Sequence, residues 1–315
     1  MTTAVIFPGQ GAQVPGFLHR LPDHPAVAET LATASRILGR DVLDLDREDA
    51  LASTVAVQLT ALVAGVAVSR ALAACGVAPD AVAGLSVGAF PAAVAAGSLA
   101  FEDALPLVEL RGRLMEAAYP QGFGMAALVG LGQRQVERLV AEVASPERPL
   151  YLANLNAPTQ FVLAGSDEAL DAALTAARGI GARKAERMAV SVPSHCPLLD
   201  GVASDLARAV AKVTIRAPEV LVIDSRGRPA RSVEAVAADL AGNLARPTRW
   251  HDAATHLYER GIRLFVEVPP GRILTDLVSQ NFPEARARAV TDTPLAFLAR
   301  LDRDLRSPES GTDGL

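Results

Sequence analysis

The sequence predicts an α/β protein: a parallel, helix-covered sheet with a small split-βαβ subdomain inserted into it. Three observations carry this. Short apolar runs alternate with helical patterns through residue 118, the pattern changes over about 70 residues from Phe123, and the larger alternation then resumes. With 315 residues, 50% of them hydrophobic, the chain is long enough to bury a core without disulfide or metal staples.

Thr3-Ala-Val-Ile-Phe7 is an apolar run stopped by Pro8-Gly9-Gln10-Gly11, the pattern of a buried strand and a turn. Helical patterns follow at 25–38, ending at Gly39, and at 50–74, ending near Gly76. Ala81–Leu85 reads as a second strand, with a helix through Val94 behind it and another at 102–118 that stops before Pro120-Gln-Gly122. The inserted pattern is a strand from Phe123, a helix at 133–144, a strand at Phe161–Gly165, a helix at 167–178 and a strand near Ala185–Val192. Helices at 197–211, 232–244 and 251–260 and strands at 220–224 and 264–268 return to the larger pattern. Residues 1–122 and 190–305 are therefore expected to form a large domain and 123–189 a small subdomain. The polar, turn-rich stretch 306–315 is expected to be a disordered tail.

Composition limits the function. Thirty-five acidic against 30 basic residues give a net charge of −5, which argues against a nucleic-acid binder. Two cysteines without CxxC spacing, Cys75 and Cys196, fit free thiols in a reducing compartment. The first residues lack a basic segment and Pro8 interrupts their apolar run, so no secretory signal and a cytoplasmic location are expected. Residues 50–69 and 81–101 carry no charge over the length of a membrane span. Both are built from Ala, Val and small polar residues, and the second contains Gly84, Gly88, Pro91 and Gly97. The first reads as a buried helix, the second as strand, turn and helix, and no membrane association is expected. The five histidines show no metal-ligand spacing.

Gly84-Leu85-Ser86-Val87-Gly88 fits G-x-S-x-G between a strand and a helix. In that context the glycines permit a tight turn that presents the serine hydroxyl, and the helix N-terminus offers N–H groups to a developing oxyanion. An Ala/Gly-rich turn with an incidental serine is the plainer alternative. A nucleophilic serine needs a base, and His195, after a β-rich run and at a Pro-containing turn, stands apart from His19, His24, His251 and His256. Read alone it fits a structural histidine equally well. No Asp or Glu between 86 and 195 is persuasive as a third member, so a Ser–His dyad is expected.

Seven segments resemble, in order, the motifs of malonyl-CoA:acyl carrier protein transacylases. They are Phe7-Pro-Gly-Gln-Gly-Ala-Gln13, Gly84–Gly88, Leu107-Val-Glu-Leu-Arg-Gly-Arg-Leu-Met115, Asn154-Leu-Asn-Ala-Pro-Thr-Gln160, Val190-Ser-Val-Pro-Ser-His-Cys196, Asn243-Leu-Ala-Arg-Pro-Thr-Arg-Trp250 and Glu267-Val-Pro-Pro-Gly-Arg-Ile-Leu274. The resemblance implies an α/β-hydrolase-like large domain, a ferredoxin-like small subdomain and a cofactor-independent ping-pong transfer of malonyl from malonyl-CoA to the thiol of an acyl carrier protein. It implies Ser86 as nucleophile, His195 as base and then acid, the backbone N–H groups of Gln10 and Val87 as oxyanion hole, and a main-chain carbonyl at Asn243 orienting the histidine. Arg111 would bind the malonyl carboxylate through two charge-assisted hydrogen bonds. All but two of the 30 basic residues are arginines, so its place in the motif, and not its charge, sets it apart from a helix-surface residue such as Arg113.

Gln58, at the position of the family's Thr-Gln-Pro motif, is a candidate to line the site, as are Asn154, Asn156 and Gln160. Cys196 is expected to point away from it. A basic run, Arg178, Arg183, Lys184 and Arg187, is either a solvated face or a surface for an acidic carrier. The elbow departs from the usual Gly-His-Ser-Leu-Gly-Glu: Leu85 replaces the His and Ala89 the Glu. In this it resembles the transacylase (epsilon) subunit of malonate decarboxylase, which loads that enzyme's own carrier subunit. A transacylase of fatty-acid or polyketide synthesis is the alternative, and a serine thioesterase or hydrolase a second. A subunit that only docks a carrier protein is a rival of another kind, disfavoured by the intact Ser86, His195 and Arg111 set.

Overall fold

The first strand, β1 (Thr3–Phe7), is buried at every position, as a strand covered on both faces must be. A loop leads to α1 (Pro25–Leu38), whose start is capped by the His24 ring accepting from Ala26 N–H. Next come α2 (Thr54–Ala74), β2 (Ala81–Gly84), α3 (Ala89–Ala95) and α4 (Phe101–Ala118). The second sheet is formed by β3 (Phe123–Val129), β4 (Leu150–Ala157), β5 (Gln160–Ser166) and β6 (Lys184–Arg187), with α5 (Gln133–Val143) and α6 (Asp167–Gly179) between them. The chain returns through α7 (Asp200–Val210), β7 (Leu221–Ile223), β8 (Pro229–Ala230), α8 (Val233–Gly242) and α9 (Trp250–Glu259). It continues through β9 (Leu264–Glu267), α10 (Ile273–Asn281), β10 (Arg286–Ala289) and α11 (Leu295–Arg306). The computed structural model describes residues 1–119 and 121–307.

The large sheet has the order β10-β9-β1-β2-β7-β8. All its pairs are parallel except the last, β7 with β8. The small sheet, β4-β5-β3-β6, is antiparallel throughout, so the fold is the expected mixed α/β one with two distinct sheets. Covering helices and the two faces of the large sheet form two apolar clusters, and the small sheet buries a third against α5 and α6. Helix α2 is long and apolar enough to cross a membrane, yet most of it is buried here between α1, α3 and α4. It is apolar all round because its neighbours surround it.

Several elements differ from the sequence reading. The insertion has four strands, not three. Residues 150–157 pair with β5 across a bulged register, and the two asparagines and bulges of Leu-Tyr-Leu-Ala-Asn-Leu-Asn-Ala break the alternation that marks a strand. The helix expected from residue 50 starts at Thr54, because Ser53 Oγ accepts from Val55 N–H and sets the helix start there. The strand expected to reach Val192 ends at Arg187. Residue 306, where the tail was expected to start, is helical: Arg306 closes α11, and its guanidinium bonds Asp80, Asp302 and the carbonyl of Ala78. Residues 308–315 of that expected tail lie outside the described residues.

Candidate active site

The loop after β2 explains both glycines of the G-x-S-x-G segment. A Cβ on Gly84 would lie 2.2 Å from the carbonyl of Gly88, and one on Gly88 would lie 2.3 Å from the carbonyl of Phe7. The turn is therefore folded back onto itself and onto the end of β1, and Ser86 at its tip takes φ 58°. That left-handed backbone is costly for a residue with a side chain. Among the described residues, His195 is the other residue besides the glycines with positive φ, at 63°. Its N–H donates to the carbonyl of Leu244 at 2.6 Å.

These two strained residues meet. His195 Nε2 is 2.9 Å from Ser86 Oγ, and Nδ1 is 2.8 Å from the carbonyl oxygen of Asn243. A carbonyl only accepts, so Nδ1 carries the proton and Nε2 presents its lone pair to the serine hydroxyl. The Asn243 side chain is also engaged: Nδ2 donates to the Ser86 carbonyl at 3.2 Å, and Oδ1 accepts from Arg111 at 3.4 Å. Burial and the nearby Arg111 charge push the imidazole down to about 4, while main-chain hydrogen bonds at Asn243 and Arg246 act in the opposite sense. The ring is thus neutral at physiological pH, as a proton acceptor must be.

Arg111, on the inner face of α4, is 1% exposed. One terminal nitrogen donates to Gln58 Oε1 at 2.6 Å, the other to Ser86 Oγ at 3.3 Å. Its Nε has no partner, and no carboxylate pairs with it among the described residues. Burial brings its pKa down to about 10, still charged at neutral pH. Arg113, two residues on, is exposed and pairs with Glu109.

A cavity of about 160 Å³ opens over Ser86 and His195. Gln10, Asn154, Asn156 and Gln160 line it together with apolar Met125, Val162 and Ile273. Buried Asn154 and Asn156 each leave Oδ1 without a partner, which suits a pocket that receives polar atoms from outside. Gln58 contacts Arg111 and Met115 rather than the cavity. Val87 follows Ser86 in the turn with its side chain in the core. Cys196 is buried with Sγ directed at the Pro193 carbonyl, and burial pushes its thiol up to about 11. In the basic run Arg178 bonds the Ala185 carbonyl, Lys184 pairs with Glu186 and Arg187 with Asp167.

Two features were not read from the sequence. Thr248 Oγ1 lies 3.0 Å from His195 Nδ1, and the Asn243 side chain ties Ser86 to Arg111. Thr248 is the one hydroxyl in Asn243–Trp250, but nothing in that segment marks it as a partner of the base. The Asn243 contacts have no sequence signal, because they join residues far apart in the chain.

A parallel sheet whose strand-to-helix turn presents a histidine-partnered serine, beside a small antiparallel sheet, defines a class of acyl-handling α/β proteins. The acyl transferase domain model matches residues 4–309, and the chain belongs to that family. It is 36% identical to the malonyl CoA-acyl carrier protein transacylase of Escherichia coli K12, over 95% of this chain and 98% of that protein. It is 31% identical to the protein of the same name from Staphylococcus aureus MW2, over 88% and 92%. Among solved structures it resembles the malonyl CoA-acyl carrier protein transacylase from Coxiella burnetii (TM-score 0.90, 36% identity, 95% and 96% covered). It also resembles a malonyl-transacylase in complex with a type II PKS acyl-carrier protein (TM-score 0.89, 36% identity, 95% and 99% covered).

Proposed function

We propose that this protein moves a malonyl group from malonyl-CoA to the prosthetic-group thiol of an acyl carrier protein through a malonyl-serine intermediate. The observation that carries the reading is Arg111: a fully buried guanidinium with only neutral partners, 3.3 Å from the hydroxyl that would be acylated. A buried cation without a counter-charge is costly, and an acyl group ending in a carboxylate removes that cost. The names of the relatives at 36% and 31% identity support the same substrate.

Ser86 Oγ attacks the thioester carbonyl as His195 Nε2 takes its proton. The N–H groups of Gln10 and Val87 donate to the oxyanion of the tetrahedral intermediate. Collapse breaks the C–S bond, and the imidazolium returns the proton to the departing coenzyme A sulfur. The carrier thiol then gives its proton to His195, attacks the malonyl ester and releases Ser86 by the reverse sequence. The Asn243 carbonyl holds the ring in the active tautomer throughout, while Gln58 and the Asn243 side chain hold the guanidinium at the acyl site. No step calls for a cofactor, and the proposed location of the reaction is the cytoplasm.

Leu85 and Ala89 in the elbow support the carrier subunit of malonate decarboxylase as acceptor, and a fatty-acid or polyketide carrier is the other arm of the test. After brief exposure to malonyl-CoA, mass spectrometry of the intact protein should show one added malonyl group that is absent in Ser86→Ala. Added carrier should then discharge it, with the two carriers compared side by side. Rapid release of free malonate without carrier would instead identify a hydrolase, and the absence of any adduct a docking subunit.

A further inference from the structure

Thr248 sits between the imidazole and the small sheet. Its side chain is buried, and Oγ1 lies 3.0 Å from His195 Nδ1, beside the Asn243 carbonyl at 2.8 Å. Because that carbonyl fixes the proton on Nδ1, the threonine oxygen meets an N–H and accepts from it. Two acceptors then share one donor, and both interact more strongly once Nε2 has taken the serine proton and the ring is charged.

The main chain of Thr248 is anchored independently. Its N–H donates to the Ala153 carbonyl at 2.8 Å, and its carbonyl accepts from Leu155 N–H at 2.8 Å. These bonds form a parallel bridge opposite Asn154, which itself lines the acyl cavity. One residue therefore joins β4 to the far side of the base.

We propose that Thr248 is a positioning residue for His195: its hydroxyl, held in place by β4, fixes the ring plane and supplies the second acceptor that stabilises the imidazolium. This rests on the reading of Ser86 and His195 as an acyl-transfer pair. The charged group acting on the ring is Arg111 from α4. The other groups acting on the ring are neutral: Ser86, Thr248 and the main chain at Asn243 and Arg246.

The test compares Thr248→Val, which keeps the shape and loses the hydroxyl, with Thr248→Ser, which keeps the hydroxyl, in rapid-quench loading of malonyl from malonyl-CoA. Valine should slow loading about tenfold, the order of one hydrogen bond to a group that becomes charged, with half-saturating malonyl-CoA unchanged. Serine should stay within about twofold of wild type on the same basis. Loss of an acceptor disfavours the charged ring, so the acid limb of the valine variant should move to lower pH. The downfield His195 Nδ1–H proton resonance should move in the valine variant and hold in the serine variant. Valine loading at the wild-type rate with the wild-type acid limb, or serine falling as far as valine, would overturn the proposal. If wild type itself takes no malonyl group, the acyl-transfer reading fails, and the Nδ1–H resonance still decides whether the hydroxyl holds the ring.

Discussion

Arg111 and His195 are single side chains whose burial sets their chemistry. Replacing Arg111 with alanine should lower malonyl loading about a hundredfold, as for truncation of one partner of a buried charge pair. Acetyl loading should change far less, and competition between acetyl-CoA and malonyl-CoA measures the ratio; an equal loss of both would contradict a carboxylate clamp. His195 has a folded-state pKa near 4 against 6.5 for the free side chain. Between those values the unfolded chain binds a proton that the folded one does not, so acidification from pH 6.5 to 4 destabilises the fold, by about 3 kcal/mol from this group. In His195→Gln, urea midpoints measured across that range should lose this part of the slope. Ser86 was singled out by its G-x-S-x-G turn, and His195 and Arg111 by the family resemblance; the structure brings the three side chains together. Thr248 was not singled out, because a threonine in a Pro-Thr-Arg run has no pattern that distinguishes a loop hydroxyl from a ligand to the base.

At the scale of elements, the close approach of α4 to α2 places Arg111 over the serine. A Cβ on Gly112 would lie 2.8 Å from the Val55 Cα, so Gly112→Ala should push the helices apart at a cost of about 1–3 kcal/mol. It should weaken the preference for malonyl over acetyl while Ser86 still loads, a combination that thermal melting and the competition assay read together. Helix α10 depends on a single carboxylate: the Glu267 oxygens accept from the Leu274 and Thr275 N–H groups at 3.1 and 2.6 Å. Glu267→Gln turns an NH₂ group toward one of those donors, and the unfolding free energy should fall by about 1–3 kcal/mol. Helices with clear apolar stripes, such as α1, α5 and α6, were legible nearly to the residue. Strand β4 was not, because its asparagines turn toward a pocket and defeat the alternation.

Across the whole molecule, the two ends of the described chain are joined where the central strands β1 and β2 of the large sheet begin. Asp80 accepts from Thr2 and Thr3 N–H groups and from Arg306, and Asp302 accepts from Thr3 Oγ1 and Arg306. Burial raises the Asp80 carboxyl, but those two N–H groups and Arg306 outweigh it and hold it at about 2. Its contribution is present above pH 4 and is lost as pH falls toward 2. Arg306→Ala leaves the buried Asp302 carboxylate without its cation and should lower the melting temperature by several degrees. Malonyl loading at a permissive temperature should be unchanged, because the cluster and the serine are on different parts of the sheet.

Local patterning and short motifs depend on residues near one another in the chain, so the α/β alternation, the inserted subdomain and the G-x-S-x-G turn could be read from sequence, and the family resemblance singled out Ser86, His195 and Arg111 as candidates. Tertiary structure alone decided which polar atoms meet. Asn243 reaches both Ser86 and Arg111, Gln58 turns to the guanidinium instead of the cavity, and Thr248 connects β4 to the base. Those contacts span 53 to 157 residues, and their geometry exists only once two sheets and the helices between them have packed.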